Sequence, residues 1–251
     1  GVVLEDGTEL DSSIVISGAE PRLTFLGLVG EKELPDDFVK QLKRYKLRGS
    51  SGKVNLALDR FPDFTARPGT GLHMRGDISI APNTDYLERA YDDAKYGDFS
   101  QKPFLNIVFP SLLDPDMAPE GKHVMSIFVQ YAPYHIKEGP SHWPEKREAF
   151  GDAVIDTLAE YCPTIKDSIL HRQVLTPWDL EVEFGLTEGN IFHGELSLEQ
   201  LLFQRPASGW AQYKTPIRKL WLCGSGAHPG GGVMGAPGHL AAREILMGGA
   251  C

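Results

Sequence analysis

The chain has 251 residues, and its 25 lysines and arginines against 34 aspartates and glutamates give a formal net charge of −9 at pH 7. Nucleic acid and anionic membrane surfaces are poor partners for so acidic a chain, and we expect neither. With 41% hydrophobic and 24% charged residues the composition is that of a globular protein, which excludes the disordered and fibrous classes. No apolar stretch approaches the ~18 residues of a membrane span.

The first ten residues predict a short hairpin. Residues 2–10 form two brief strands around Asp6-Gly7, a dipeptide typical of type I′ turns. Because an isolated two-stranded hairpin is marginal in water, we expect a further sheet to come from sequence upstream of Gly1. The alternative is a full-length protein whose small hairpin lies on its own sheet.

Strands and helices then follow in mixed order. Residues 13–19 (SIVISGA) are a β-branched apolar run that ends in small residues, typical of a buried parallel strand beneath a ligand. Further strands are predicted at 53–58, 72–80, 106–110 and 123–131, and helices at 35–45, at 84–96 with Asn83 as the cap, and at 144–161. This order favours an α/β or α+β fold over a helical bundle or a β-sandwich.

The most informative segment lies near the end of the chain. An apolar strand at 220–223 is followed by a glycine-rich loop, GSGAHPGGGVMG at 224–235, and by a predicted helix that reaches 246. Glycines at such a corner let the backbone approach a bound group, and the first turn of the helix offers N–H donors at its positive end. We expect the helix to start at about Gly232 and an anionic or carbonyl-rich cofactor to bind there.

This segment does not match the opening unit of a dinucleotide-binding domain. Gly224 and Gly226 begin a G-x-G-x-x-G pattern, but Pro229 occupies its sixth position. The strand that should carry an acidic residue about 20 positions on is also missing from the sequence. We therefore expect strand 220–223 to pair with strand 13–17 and to complete a sheet begun elsewhere.

The glycine motif, followed by Gly238 and Ala241-Ala242, closely resembles the C-terminal flavin-contacting motif of the phytoene desaturase and retinol saturase group of FAD-dependent oxidoreductases. Residues 189–193, Leu196 and 198–201 are similar to the branch of that group called pyridine nucleotide-disulfide oxidoreductase domain-containing protein 2. Residues 1–21 and 78–88 also resemble the group. The N-terminal half of the family, with the motif that binds the ADP part of FAD, has no counterpart in this sequence.

The resemblance implies the C-terminal part of an α/β flavoprotein that transfers hydride between FAD and an apolar small molecule. Residues 1–25 and 214–251 would belong to the FAD-binding domain, and 26–213 to an α+β substrate domain. His228 is the candidate catalytic residue, and we expect this part alone to be inactive and to bind FAD weakly or not at all. The candidate cofactor-binding residues are Gly224, Ser225, Gly226, Gly231, Gly232, Val233, Met234 and Gly235.

Other interpretations of the sequence stay open. His193, beside Glu195, is a weaker candidate for proton transfer, and a metal site from His193, His228 and His239 lacks ligand spacing. Some aromatic side chains would line a substrate tunnel, although core packing accounts for most of them. The alternative function is a non-catalytic module that binds a partner or lipid through the apolar surface where the missing N-terminal half would dock. The expected macromolecular partner is that N-terminal half or, through self-association, a second copy of the chain. Three cysteines without a CxxC pair predict a reducing compartment, the cytoplasm or an organelle matrix.

Overall fold

The structure is a computed structural model of the chain, and it describes residues 1–248. Cys251, one of the three cysteines of the sequence, lies outside the described residues. The chain divides into two compact units. Unit 1 is formed by Gly1–Leu47 together with the residues from Asn190 onward, and unit 2 by Arg48–Gly189.

Both strands and helices occur in the described residues, as the predicted α/β class requires. The strands are β1 (Val2–Val3), β2 (Glu9–Leu10), β3 (Val15–Ser17), β4 (Ser51–Leu58), β5 (Ile78–Ile80), β6 (Phe104–Val108), β7 (His123–Gln130), β8 (Ile169–Leu175) and β9 (Leu220–Leu222). The helices are α1 (Asp36–Arg44), α2 (Thr84–Lys95), α3 (Pro110–Leu113), α4 (Trp143–Ala159), α5 (Ile165–Ser168), α6 (Pro177–Phe184) and α7 (Ala236–Gly248), with a π-helix at Leu23–Val29.

Unit 1 contains the parallel pair that the sequence predicts. β3 and β9 pair in parallel, with Val15 opposite Leu220 and Ser17 opposite Leu222, although about 200 residues separate them along the chain. This confirms the pairing prediction. β3 is not buried, however, and Ile16 is 53% exposed, because β9 is its sole strand partner among residues 1–248.

The hairpin at the start of the chain is present, but its turn differs from the predicted type. β1 and β2 are antiparallel, with Val2 opposite Leu10. The Gly7 N–H donates to the Leu4 carbonyl, and Gly7 has a φ of 83° while Asp6 does not have a positive φ. A type I′ turn needs positive φ at both central residues, so this turn is a longer one closed by a single left-handed glycine.

Unit 2 is built on a five-stranded antiparallel sheet of order β5-β6-β7-β4-β8. One face of the sheet and the helix α4 share an apolar core, in which Phe150 and Trp143 are fully buried. The aromatic rings of these two residues make an edge contact, with centroids 5.7 Å apart. This packing explains why α4 carries its large apolar residues on one face.

Two predicted strands of unit 2 have different bounds because of the residues beside them. Within 72–80, strand pairing with β6 extends only from Ile78 to Ile80, and Leu72–Met74 is a 3₁₀ turn. The strand predicted at 106–110 is shifted to Phe104–Val108, because Pro110 has no N–H for the ladder and instead begins α3. The predicted cap of α2 is confirmed, since the Asn83 side chain accepts the Tyr86 N–H at 2.8 Å.

The unit boundaries differ from those predicted at residues 25/26 and 213/214. Phe38 and Leu42 of α1 are fully buried in the core of unit 1, together with Tyr213 and Trp221. Because these side chains pack on one another, residues 26–47 and 190–213 belong to the same compact unit as β3 and β9.

Candidate functional site

The glycine-rich loop connects β9, which ends at Leu222, with α7, which begins at Ala236. The first helical bond of α7 runs from the His239 N–H to the Gly235 carbonyl at 3.0 Å. The prediction that this helix starts at about Gly232 is therefore wrong, because residues 232–235 have turn geometry. Gly232 and Gly235 have φ values of 126° and 66°, which no α-helix contains.

Three of the predicted cofactor-binding glycines contact the chain itself. A Cβ on Gly224 would lie 3.2 Å from the Gly18 carbonyl oxygen, and one on Gly226 would lie 2.6 Å from the Pro21 Cδ. At Gly231 the Cβ would lie 2.3 Å from the Phe192 ring. These three glycines therefore satisfy close packing within unit 1, whatever else binds nearby.

The tip of the loop is exposed, in contrast to its base. Val233 is fully exposed and Met234 is 56% exposed, and a Cβ on Gly235 would meet no atom within 4 Å. The Met234 N–H, one of the predicted donors, is already bonded to the Gly232 carbonyl at 2.9 Å. The donors at the start of α7 are those of its first turn, which have no acceptor within the helix.

A buried arginine that the sequence analysis does not identify holds the base of the loop. Arg205 has no exposed surface, and its Nε donates to the carbonyl oxygen of Ser225 at 2.8 Å. Its guanidinium also donates to four other main-chain carbonyls, those of Phe192, Gly194, Glu195 and Gln200, at 2.5–3.2 Å. Burial lowers the pKa of Arg205 below its usual range. A lone arginine in an irregular stretch gives no sequence signal for this role.

His193 lies in the segment that Arg205 holds. The Tyr45 hydroxyl donates to the His193 carbonyl at 3.0 Å, and the Tyr45 ring faces the guanidinium at 5.8 Å. Burial, with a further contribution from the Arg205 charge, lowers the pKa of His193. Burial also raises the pKa of Tyr45 to about 12. Both causes favour the neutral form of the His193 imidazole over the charged form.

His228, the candidate catalytic residue, lies within the loop and is half-buried. Its ring stacks on Phe203, with centroids 5.5 Å apart and an interplanar angle of 11°. Its Nδ1 atom is buried and has no hydrogen-bond partner among residues 1–248. His228 keeps part of its surface exposed, because the residue as a whole is only half-buried.

Apolar side chains surround the loop. Phe203 is 74% exposed beside His228, Leu196 packs at 3.6 Å from the Cβ position of Gly230, and Phe192 packs on Gly231. Three other aromatic residues, Phe109, Tyr134 and Trp143, are buried and therefore do not line a substrate tunnel at this loop. Core packing therefore accounts for these three, whereas Phe192 and Phe203 lie at the candidate site.

A cavity of about 780 Å³ lies along β3 in unit 1. Its wall includes Ser17, Gly18 and Ala19, at the carboxyl end of the strand. In open α/β sheets, ligands bind outside the carboxyl ends of parallel strands. The glycine loop leaves β9 at this same end, because β3 and β9 are parallel and in register. Apolar residues on the other walls include Val2, Val3, Val15, Ile16 and Leu28.

The part of the chain that the structure describes shows neither a metal-ligating cluster nor a membrane-spanning helix. No group of three or more His, Cys, Asp or Glu side chains within residues 1–248 is arranged to hold a metal ion. None of the helices found there is long and apolar enough to cross a membrane.

Comparison with known proteins confirms the resemblance that the glycine motif indicates, although no protein-family model matches the chain. Over 98% of its length the chain is 45% identical to the rat pyridine nucleotide-disulfide oxidoreductase domain-containing protein 2, of which it covers 43%. Over 95% of its length it is 30% identical to one of the subunits of the limonene dehydrogenase of Castellaniella defragrans, of which it covers 45%. A lycopene-forming phytoene desaturase of Paracoccus is 26% identical over 98% of the chain, which covers 46% of that enzyme.

The fold is also found among solved structures. A crystal structure of an oxidoreductase from Methanosarcina mazei superposes with a TM-score of 0.54 at 19% sequence identity, and the match covers 96% of this chain and 44% of that one. The chain thus spans less than half the length of the relatives it matches.

Proposed function

We propose that this chain is the C-terminal part of an FAD-dependent oxidoreductase that acts on an apolar organic substrate. The observation that carries the proposal is the exposed tip of the glycine loop, residues 232–235, directly before the helix α7. The names of the relatives support it, because they include a phytoene desaturase and a limonene dehydrogenase.

The residues at the tip fit a flat, carbonyl-bearing ring. Gly235 has no Cβ and nothing within 4 Å of where one would lie, so a ring can approach its backbone. The first-turn N–H groups of Ala236 and Gly238 offer donors at the positive end of a 13-residue helix, while Pro237 has none to offer. Gly224, Gly226 and Gly231 hold the base of the loop in place by their close packing within unit 1.

FAD, when bound, supplies the two-electron chemistry of hydride transfer. The N–H donors at the start of α7 would hold the carbonyl side of the ring and would stabilise negative charge there. Phe192, Phe203 and Leu196 provide an apolar surface that orients a substrate and excludes water. His228, whose ring stacks on Phe203, would hold or accept a proton at the substrate.

The remaining length of the relatives would complete unit 1. β3 has one edge without a strand partner among residues 1–248, and Ile16 and Leu28 are exposed beside the cavity that follows it. A parallel strand added to this edge would cover the apolar wall. The 251-residue chain alone would then purify colourless and bind FAD weakly, since it spans less than half the length of its relatives.

Flavin content of the intact protein tests the proposal. Gly232→Val is a poor probe, because a φ of 126° strains any branched residue regardless of a ligand. Val233→Glu is cleaner, since Val233 is fully exposed and contributes nothing to the core. We expect Val233→Glu to lower flavin per protein at least tenfold through charge repulsion and steric blockage. The matched control is Val182→Glu, at an exposed valine of unit 2, and equal flavin content in both variants would contradict the proposal.

A second variant tests His228. His228→Phe preserves the ring stack with Phe203 and removes Nε2. We expect normal flavin content and a reduction rate at least tenfold lower, because general acid–base catalysis contributes about 10²–10⁴-fold. A normal reduction rate would show that His228 only packs.

The alternative, a non-catalytic binding module, is favoured by the same exposed apolar wall along β1 and β3. The two functions differ in one observable. An intact protein that purifies without flavin and does not bind it when FAD is added would favour the binding module.

A further inference from the structure

We propose that Arg205 is a positioning residue that fixes the glycine loop against the segment 190–201, so that the loop tip is held ready for its ligand. The effect on flavin rests on the function proposed above, whereas the effect on the loop does not.

The hydrogen bonds that Arg205 makes within residues 1–248 all go to the main chain. Its five acceptors are carbonyl oxygens, four of them between residues 192 and 200 and the fifth on Ser225. Main-chain carbonyls are fixed in space by the backbone, so these bonds constrain the path of two segments rather than the rotamers of side chains. Only a guanidinium presents five donors in one rigid plane.

The arginine bonds the loop at one residue and lies close to it at another. Its Nε bonds the carbonyl of Ser225 at the start of the loop, and its Cδ and Nε lie 3.6 Å from where a Cβ on Gly230 would be. The residues between these contacts, 226–229, include His228. The exposed tip, residues 232–235, begins two residues after Gly230, so its position depends on where Arg205 holds the base.

The other segment is anchored independently of the loop. The Tyr45 hydroxyl bonds the His193 carbonyl, and the Gln200 side chain bonds the N–H and the carbonyl of Lys46 at 2.6 and 2.9 Å. Segment 190–201 is therefore tied to the residues that follow α1. The Arg205 side chain bonds both this segment and Ser225, and so it connects the glycine loop to the anchored segment.

Hydrogen–deuterium exchange on the chain tests the proposal without a ligand. Arg205→Lys keeps the charge but offers three donors, which cannot reach all five carbonyls. We expect amide exchange in residues 225–235 to become at least tenfold faster, with unit 2 unchanged. The matched control is Tyr45→Phe, which removes one bond to His193 and leaves the Ser225 bond intact. Its faster exchange should be confined to residues around 193.

Unchanged exchange in residues 225–235 of Arg205→Lys would overturn the proposal, and so would a uniform increase across unit 1, which a purely structural role produces. If Arg205→Lys does not fold, NMR of the wild-type chain tests the proposal instead. We expect the Arg205 Nε–H signal to be protected from solvent exchange and to show a nuclear Overhauser effect to Gly230. A rapidly exchanging Nε–H would refute the proposal.

The intact protein extends the test to the ligand. We expect Arg205→Lys to raise the FAD dissociation constant at least tenfold and Tyr45→Phe to change it less than twofold. Faster loop exchange with unchanged FAD affinity would remove the link between loop position and ligand. A wild-type protein without any FAD affinity would refute the proposed function and leave the exchange result to decide the role of Arg205.

Discussion

Replacing Gly231 by alanine separates the packing of the glycine loop from its ligand chemistry. The φ of Gly231 lies outside the left-handed region, so the backbone accepts alanine without conformational strain. The added methyl group would lie 2.3 Å from the Phe192 Cδ1 and 3.1 Å from its Cγ. Carbon atoms in contact normally lie about 3.5–4.0 Å apart, so the ring or the loop must move by roughly 1 Å.

Overpacking of this kind costs about 1–3 kcal/mol in the free energy of unfolding. Replacing Phe192 by alanine as well removes the clashing ring. Phe192→Ala should therefore lower the free energy of unfolding less in the Gly231→Ala variant than in the wild-type chain. We expect a coupling energy of about 1–2 kcal/mol between the two positions, which is typical of residues in direct contact.

Urea unfolding of the wild-type chain, both single variants and the double variant measures this coupling. Gly238→Ala is the matched control, because a Cβ there meets no atom within 4 Å, and alanine in a helix is about 0.5–1 kcal/mol more stable than glycine. Additive effects of Gly231→Ala and Phe192→Ala would refute the packing role of Gly231. Space for a ligand would then be the reason for a glycine at this position.

Three further predictions concern the stability of the two units. The pKa of His193 is lowered in the folded chain, so below about pH 6.5 the unfolded chain binds more protons than the folded chain, and the free energy of unfolding falls as the pH falls. Asparagine tolerates the φ of 54° at this position, so His193→Asn should make the urea midpoint depend less on pH between pH 7 and 5. An unchanged pH dependence in this variant would contradict the prediction. Phe150→Ala should lower the free energy of unfolding by about 3–5 kcal/mol in urea titrations, because the ring is fully buried, and a loss below 1 kcal/mol would refute its core role. Thr176→Ala removes the capping box of α6 and should cost about 0.5–2 kcal/mol by the same measurement, whereas no change would show that the box is dispensable.

Local signals in the sequence are sufficient to predict much of the secondary structure. The cap of α2 by Asn83 and the start of α1 after Pro35 depend on residues within four positions of each other. The pairing of β3 with β9 is also predictable, because each strand is a short apolar run that ends in small residues. Their register, with Ile16 opposite Trp221, is a tertiary result.

The predictions that differ from the structure have two kinds of cause, contacts between distant residues and local patterns that fit two structures. Residues 26–47 lie in unit 1 because Phe38 and Leu42 pack with Tyr213 and Trp221, and no local pattern contains that contact. The predicted start of α7 is four residues too early, because a glycine-rich turn and a frayed helix start have the same composition.

For the candidate site, glycine content and apolar periodicity are local properties, and they are enough to predict a glycine-rich loop that joins a strand to a helix. The role of each glycine depends on its neighbours in space. Gly226 and Gly231 are surrounded by Pro21 and Phe192, which come from distant segments, whereas Gly235 faces open space. The place of Arg205 likewise follows from the folded chain alone, because its five acceptors are main-chain carbonyls, and every residue type carries the same carbonyl.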